Sequence, residues 1–315
     1  MMNAGDDDIH LAGPELWWRE AWYWGFYDPI TQIQLVIYTG VFPNQEHGDL
    51  LLTLHANRRL VFRTVKLDYH ISKDIGYDRW AFSCFQQRML EPMRRWKLYF
   101  EDDECRINLD YEAVHEPFSW AEARLFMERE APGESSRHYD QVGRFRGEIS
   151  WNGKSCRIDA LGMRDHMWGW GSRAKWKTYL MMWPIFDKNL VLNIFPQAFV
   201  DGSQQMVGYL WESDQRRLLK HGAFEFAWPS AGRMVNSIYA QVEDERGRVF
   251  TLEAVPLNLL DTSGIWPNRV GHLIYGEGEF HFGGKTGYGE LGYYYLEEAE
   301  RPTHWIVGTE KEVLK

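Results

Sequence analysis

Apolar and polar residues alternate along most of this 315-residue chain. A period of two places successive side chains on opposite faces, which is typical of β-strands with one buried face. In the first half the alternation predicts strands at Ile33–Val41, Leu50–Leu54, Leu60–Tyr69, Trp80–Arg88, Arg95–Phe100, Arg106–Ala113, Arg144–Trp151 and Lys154–Leu161. In the second half it predicts strands at Trp176–Trp183, Leu190–Phe199, Gln205–Trp211, Ala223–Trp228, Ser237–Val242, Val249–Val255 and Leu273–Phe282.

Helical patterns are scarce, and the segment Ser119–Glu130 is the helical-looking piece of the first half. Asn152–Gly153 is the strongest hairpin signal, because both residues tolerate the backbone of a tight turn. Many short strands with regular turns predict an all-β fold of sandwiches or barrels. We therefore expect two antiparallel barrels in tandem, with a seam near residues 174–184. The expected parts are a flexible tail (1–13), an N-terminal barrel (14–178) and a C-terminal barrel (179–315).

Composition narrows the classes of function. The 16 Trp, 16 Tyr and 17 Phe residues suit half-buried strands and also suit a site for apolar ligands. A net charge of −10 without a long basic cluster argues against nucleic acid and against an anionic membrane surface as partners. No run of residues is apolar enough for a transmembrane helix, so stable membrane insertion is not expected.

Three widely spaced cysteines without a C-x-x-C motif suggest neither a zinc site nor a redox pair. Their odd number fits reduced thiols, and the acidic N-terminus lacks the apolar core of a signal peptide. A cytoplasmic location is the resulting expectation. The sequence does not predict an oligomeric state.

The segment Gly162–Arg173 places an acid, an imidazole, two guanidinium groups and two indoles among three glycines. Burying a carboxylate costs several kcal/mol unless it is paired. Charged residues of this segment that are buried therefore need ion-pair partners or a functional role. One interpretation is a tight turn held by an Arg164–Asp165 pair. If the segment is extended, Arg164, His166 and Trp168 face one way and Asp165 the other, unless a bulge turns both sets inward.

The pattern Gly162-x-Arg164-Asp165-His166-x-Trp168-Gly169 resembles the signature of the two-barrel lipocalin-like superfamily. That superfamily includes hydroxyneurosporene synthase (carotenoid 1,2-hydratase), AttH-like proteins and lipocalin-type cyclases. The likeness is greatest to its uncharacterised bacterial members, and it departs from the usual pattern at Met167, where Ser is common, and at Arg173, which is shifted along the chain. Further matching elements are Trp18-Arg19-Glu20, Phe42-Pro43-Asn44, Glu91-Pro92 with Trp96, His138 with Gln141, and Gly287-Tyr288-Gly289-Glu290.

The resemblance implies tandem lipocalin-like barrels with an aromatic-lined pocket at their junction. It also implies a cofactor-independent hydratase or lyase, isomerase or terpene-type cyclase that acts by proton transfer on a lipophilic isoprenoid, polyketide or steroid-like substrate. Asp165 and His166 are the expected catalytic residues, since a carboxyl group and an imidazole can donate or relay a proton. The expected supporting and substrate-binding residues are Glu20, His138, Tyr139, Gln141, Arg164, Trp168, Trp170, Arg173, Trp176, Tyr288 and Glu290.

Two alternatives stay open at this point. The barrels could carry a hydrophobic small molecule without changing it, in which case Arg164, Asp165 and His166 only stabilise the fold. Alternatively, His138, Asp165 and His166 could bind a metal, although neighbouring strand residues point to opposite faces. No metal or cofactor is predicted. The sequence lacks both a G-x-S-x-G hydrolase motif and a G-x-G-x-x-G motif followed by a helix.

Overall fold

The structure is a computed structural model that describes residues 2–71, 79–82, 84–123, 137–170, 176–263, 265, 271–296 and 301–308. Antiparallel strands make up 71% of the structure, and helix makes up 4%. The chain divides into two compact units, the first made of residues 1–121 and 132–171 and the second of residues 122–131 and 172–315. Within the described residues, no helix is long and apolar enough to cross a membrane.

In its described residues the first unit contains eleven strands and two 3-10 turns, Ala4–Asp7 and Pro43–Gln45. The helix α1 (Trp120–Ala123) begins in this unit and ends in the second. The strands are β1 (Arg19–Asp28), β2 (Ile33–Phe42), β3 (His47–Ala56), β4 (Arg59–His70), β5 (Arg79–Phe82), β6 (Phe85–Glu91), β7 (Arg95–Glu101), β8 (Cys105–Ala113), β9 (Phe118–Ser119), β10 (Arg137–Trp151) and β11 (Lys154–Gly169).

These strands form one curled sheet in the order β4-β3-β2-β1-β11-β10-β8-β7-β6-β5, with β9 beside β10. Alternate side chains of each strand enter a core that includes Trp24, Leu52, Phe100 and Phe145. Strand β1 lies near the middle of the sheet, and nearly all of its residues are buried. A strand buried on both faces must find partners for every polar side chain that it carries.

The described residues of the second unit contain the other nine strands, and eight of these form a closed barrel. The order β14-β13-β12-β19-β18-β17-β16-β15 closes through a β14–β15 pairing, and β20 adds to β15. The strands are β12 (Trp176–Asp187), β13 (Leu190–Phe199), β14 (Gln204–Glu212), β15 (Gln215–Ala227), β16 (Ser237–Asp244), β17 (Val249–Asp261), β18 (His272–Phe282), β19 (Lys285–Tyr295) and β20 (His304–Val307).

The predicted all-β fold with two curved antiparallel sheets is confirmed. The Asn152–Gly153 hairpin joins β10 to β11 as expected, with Trp151 opposite Lys154. Of the predicted helix Ser119–Glu130, the structure shows Trp120–Ala123, and residues 124–130 lie outside its described part. The expected boundary at residues 178/179 falls inside β12, whereas compactness divides the chain between Gly171 and Ser172.

The N-terminal segment 1–13, for which a flexible tail is predicted, contains a capped turn and buried side chains. Asn3 caps the turn Ala4–Asp7, and its side chain accepts a hydrogen bond from Gly5 N. Asp6 and Asp7 are buried. The physical reason is that the acids of this segment find cationic and hydrogen-bonding partners on the first sheet.

Two glycines of the β10–β11 hairpin offer a matched test of the fold. Gly147 has a φ of +148°, and a Cβ there would lie 2.1 Å from Asn108 O. Gly153, with a φ of +76°, has no such neighbour within 4 Å. We expect Gly147→Ala to lower the free energy of unfolding by about 1–3 kcal/mol more than Gly153→Ala, because a backbone clash adds to the left-handed strain. Urea unfolding measures both, and equal effects would contradict this packing.

Candidate active site

The predicted site segment lies on β11, between β1 and β10, and its pairing is regular. The period of two therefore holds: Arg164, His166 and Trp168 face the core side, and Asp165 faces the other side. Strand β1 places Glu20 opposite Trp168, Trp22 opposite His166 and Trp24 opposite Arg164. Strand β10 places Tyr139 opposite His166 and Gln141 opposite Arg164. The two residues predicted to be catalytic, Asp165 and His166, thus belong to different faces of the sheet.

Arg164 is fully buried. Its Nε and Nη2 donate to Gln141 Oε1 at 3.0 and 2.7 Å, and its Nη1 and Nη2 donate to Asp7 Oδ1 and Oδ2 at 2.7 and 3.2 Å. Aromatic rings at 5.2 to 5.7 Å from the guanidinium carbon surround it and provide favourable cation–π contacts. These rings belong to Trp24, Trp96, Tyr111 and Tyr139.

The carboxylate of Asp7 completes this buried ion pair. Besides Arg164, it accepts hydrogen bonds from Met93 N at 2.5 Å, from Trp96 Nε1 at 3.2 Å and from the Tyr139 hydroxyl. Burial alone would raise the pKa of Asp7, but the charge and hydrogen bonds of Arg164 outweigh burial and lower the pKa below its ordinary value. The interpretation that Arg164 pairs with Asp165 is therefore wrong.

His166 is also fully buried, and its partner is Glu20. Its Nε2 lies 2.8 Å from Glu20 Oε1, and its ring stacks on Trp22 at 4.4 Å. Glu20 Oε1 also lies 2.8 Å from His10 Nδ1, while Glu20 Oε2 accepts from His10 N at 2.9 Å. Burial raises the pKa of Glu20, but the hydrogen bonds from both histidines outweigh burial, so its pKa is lowered. His10 stacks on Trp168 at 4.0 Å, which places the N-terminal segment over this end of the sheet.

His166 Nδ1 is buried and has no hydrogen-bond partner among the described residues. A proton on Nε2 is donated to Glu20 Oε1. This hydrogen bond is enclosed on the core side of the sheet and gives His166 a positioning role for Glu20.

The other face of the sheet carries a second titratable group, formed by His138, Asp140 and Asp165. His138 Nε2 lies 3.1 Å from Asp140 Oδ1 and 3.5 Å from Asp165 Oδ2. Trp120 stacks on the imidazole at 3.6 Å and donates from Nε1 to Asp140 Oδ2 at 2.7 Å. The side chains of His138 and Asp165 are 15% and 17% exposed, so both remain accessible, unlike Arg164 and His166.

Electrostatics favour a protonated His138 within this group. Burial lowers the pKa of His138, but the charges of Asp165 and Asp140 more than offset it and raise the pKa to about 9. Burial also raises the pKa of Asp140, against the opposing influence of His138. The group therefore holds a proton on the imidazole at neutral pH between two carboxyl groups.

Among the described residues, three of the predicted site residues lie in the second unit. Trp176 contacts the Tyr179 ring edge-on at 5.1 Å, and Tyr288 is partly buried opposite Ile185. Glu290 is buried, opposite Trp183 on β12 and Glu277 on β18.

The remaining two residues of the predicted site are Trp170 and Arg173. Trp170 follows β11 and is partly buried. Arg173 lies outside the described residues.

Sequence reasoning missed several members of these groups. Asp7 and His10 sit in the segment predicted to be a tail, and the available signal was the acidic run Asp6-Asp7-Asp8 followed by a histidine. Asp140 lies between the predicted residues Tyr139 and Gln141, where alternation assigns it to the face of His138. Trp120 had no signal that would separate it from other aromatic residues.

Among the residues that the structure describes, two groups place potential metal ligands within 4.8 Å of one another. The first is His10, Glu20 and His166, and the second is His138, Asp140 and Asp165. In the first group, hydrogen bonds already engage both oxygens of Glu20. The second group differs from the predicted alternative of His138, Asp165 and His166, because His166 lies on the opposite face. The absence of a resident metal stays a prediction.

Comparisons with known proteins were made for the whole chain. The model of a family described as a domain of unknown function (DUF7064) matches residues 3–298. No curated protein matches the sequence.

Several solved structures share the fold. An AttH-like protein from Nitrosomonas europaea has a TM-score of 0.69 at 14% identity, covering 91% of this chain and 95% of its own. Kievitone hydratase from Nectria haematococca has a TM-score of 0.60 at 10% identity, covering 88% and 89%. CghA has a TM-score of 0.62 at 9% identity, covering 90% of both chains. The predicted lipocalin-like two-barrel architecture is confirmed.

The Asp7–Arg164 pair makes a direct prediction about stability. Asp7→Asn leaves a buried guanidinium without its counter-charge, and we expect a loss of about 3–5 kcal/mol in the free energy of unfolding. Asp8→Asn, the same change one residue later at a partly exposed position, should alter it by less than about 0.5 kcal/mol. Chemical unfolding at neutral pH distinguishes the two, and equal stabilities would contradict the buried pair.

The Asp7–Arg164 pair also makes the stability of the fold depend on pH. The pKa of Asp7 is lower in the folded state, so its contribution to stability is present above the ordinary pKa and is lost as pH falls through the lowered value. The Asp7→Asn variant should therefore have a lower free energy of unfolding than the wild type at neutral pH. In acid the difference between the two should shrink. A constant difference across the acid range would contradict this linkage.

The prediction of no resident metal is tested by dialysis against a strong chelator. We expect the melting temperature to stay unchanged, because hydrogen bonds within the protein already engage the carboxylates of both groups. A fall in melting temperature that a divalent ion restores would contradict the prediction, and an Asp140→Asn variant would then locate the ion.

Proposed function

The chain belongs to the DUF7064 family, and we propose that it is an enzyme of the hydratase, isomerase or cyclase type that acts by proton transfer. The proposed substrate is a lipophilic isoprenoid, polyketide or steroid-like molecule. The observation that carries the proposal is the placement of His138 between Asp140 and Asp165, on the non-core face of the first sheet. A proton donor and a proton acceptor that both remain accessible are what such chemistry requires.

The enclosed groups of the core side are poorly suited to this role. Arg164 and His166 are fully buried, and their hydrogen bonds go to Asp7, Gln141 and Glu20. A substrate would have to displace the N-terminal segment to reach either residue. Asp165 keeps its predicted catalytic role in this proposal, while His138 replaces His166 as its partner.

The residues around His138 fit a positioned general acid. Asp140 raises the basicity of the imidazole, and stacking by Trp120 fixes the plane of its ring. An acid with a pKa of about 9 stays protonated at neutral pH and can still donate to a carbon that develops negative charge. In a hydration, His138 would give a proton to one carbon of a conjugated double bond while Asp165 takes a proton from the water that adds to the other.

Two wider observations support the proposal. Aromatic side chains are abundant, and sites for apolar small molecules are lined mainly by hydrophobic and aromatic side chains. One protein of the same fold is a kievitone hydratase, so this architecture accommodates hydratase chemistry. Fold alone does not transfer a reaction, and for that reason the proposal rests on the His138 group.

Deuterium uptake detects proton transfer to carbon whichever of these reactions the enzyme catalyses. Apolar molecules that co-purify, or a panel of isoprenoid and steroid ketones, are incubated with the protein in heavy water and weighed by mass spectrometry. The wild type should transfer deuterium to carbon, and Asp165→Asn should be slower by about 10²–10⁴-fold, the usual loss of an acid–base group. His138→Gln should show a loss of similar size.

Asp159→Asn is the matched control, since Asp159 lies on the same strand but pairs with Arg144 and Arg146 at the surface. It should exchange deuterium at the wild-type rate. Ligand binding without deuterium uptake by the wild type would contradict an enzyme and support a carrier. Equal rates in Asp165→Asn and wild type would remove Asp165 from the mechanism.

A further inference from the structure

The His138 group belongs to a larger patch of partly exposed side chains on the non-core face of the first sheet. The patch contains Arg19, Tyr38, His138, Asp165 and Met167. Ala21 and Tyr23, which lie between these residues on β1, are each only 1% exposed. The guanidinium of Arg19 is thus accessible on the same face of the sheet as the proposed proton donor and acceptor.

The strand register brings Arg19 close to His138. His138 of β10 is opposite Met167 of β11, which is opposite Ala21 of β1. Arg19 precedes Ala21 by two residues, so both side chains point to the same face. The Nη2 of Arg19 lies 2.7 Å from Met167 Sδ. Because neighbouring strands are about 4.7–4.9 Å apart, the guanidinium contacts a side chain that is one strand spacing from His138.

The described residues offer Arg19 only weak partners. A guanidinium has five N–H donors, and those of Arg19 meet the Met167 thioether, a weak acceptor, and the Tyr38 hydroxyl. The charges of Asp49 and Asp165 act on the same hydroxyl, but neither acid forms an ion pair with Arg19. A partly buried guanidinium without a paired carboxylate has donors left for the oxygen of a ligand.

Tyr38 fixes the position of this guanidinium. A Cβ at Gly40 would lie 2.9 Å from the Tyr38 hydroxyl oxygen, so the hydroxyl lies over Gly40. Gly40 is opposite Ala21, which places the hydroxyl beside the part of β1 that carries Arg19. Burial raises the pKa of Tyr38 to about 12, against the lowering influence of Arg19. Tyr38 therefore stays neutral at physiological pH and holds Arg19 without cancelling its charge.

We infer that Arg19 binds the carbonyl oxygen of the substrate, and that the substrate is an apolar α,β-unsaturated ketone or aldehyde. In this role, which rests on the proposed function, Arg19 stabilises the negative charge that develops on oxygen during the reaction. A donor that is held in place before the reaction stabilises such a charge more strongly than it stabilises the ground-state carbonyl. A plain isoprenoid hydrocarbon has no oxygen for Arg19 to bind.

Hydration of such a molecule balances with water as the co-reactant. A lone pair of water forms the C–O bond at the β carbon while Asp165 takes a proton from that water. The C=C electrons form the enolate double bond, and the carbonyl electrons move onto the oxygen beside Arg19. The carbonyl then re-forms as the α carbon takes the proton of His138 Nε2. The proton on Asp165 Oδ2 returns to His138 Nε2, 3.5 Å away, and restores both residues.

The contact is tested without turnover by infrared spectroscopy of bound β-ionone and progesterone, two apolar conjugated ketones labelled with ¹³C at the conjugated carbonyl. A guanidinium polarises the carbonyl group, so its stretching band should lie at lower frequency in the wild type than in Arg19→Gln. Arg144→Gln is the control, since Arg144 lies on the same face but pairs with Asp159, and it should give the wild-type band. Identical bands in Arg19→Gln and wild type, or no binding of either ketone to the wild type, would overturn the inference.

Deuterium transfer to the same ketones is the second readout. Arg19→Gln should be slower than the wild type by about 10²–10³-fold, the usual loss of one oxyanion-stabilising donor. Arg19→Lys keeps the charge and should lose less, and it serves as the second variant if Arg19→Gln melts early. A wild-type rate in a folded Arg19→Gln would overturn the inference and leave the proposed function standing. No transfer by the wild type would refute the proposed function, and the infrared band would still decide whether Arg19 binds the ketone.

Discussion

The buried guanidinium of Arg164 is the constraint on which the first unit depends. An isolated charge at 0% exposure would cost many kcal/mol, and the structure offsets this cost with an opposite charge, a side-chain amide and four aromatic rings. These partners come from β1, β7, β8, β10 and the N-terminal turn. The requirement to satisfy one side chain therefore fixes the relative positions of segments that are far apart in the sequence.

Alternation along β11 divides its run of polar residues into two sets with different physical roles. Arg164 and His166 face inward and hold the N-terminal segment through Asp7 and Glu20. Asp165 faces the other way and meets His138. Adjacent residues of one motif thus stabilise the fold on one side of the sheet and leave a protonated group accessible on the other side. A search for one cluster of motif residues would not separate these two roles.

Sequence alone predicted the features that depend on local rules. The alternation indicated the strands, Asn152–Gly153 indicated the hairpin, and the period of two placed Arg164 and Asp165 on opposite faces. It could not choose partners across long distances: Asp7 and Arg164 are 157 residues apart, and a nearer acid, Asp165, offered the same charge. Which acid neutralises an arginine is decided by sheet order, and sheet order is a property of the whole chain.

A common principle connects the two units, each considered by itself. Each places its apolar core on one side of the barrel wall and sets carboxyl groups into a largely buried surface on the other. In the first unit a histidine supplies the opposite charge, so the acids of its group share a cation. In the second unit Glu277 is opposite Glu290 in the strand register, and burial alone raises the pKa of Glu277. The two units therefore differ in how they accommodate a buried acid: a neighbouring cation offsets the cost of burial in the first, whereas burial favours the neutral form of Glu277 in the second.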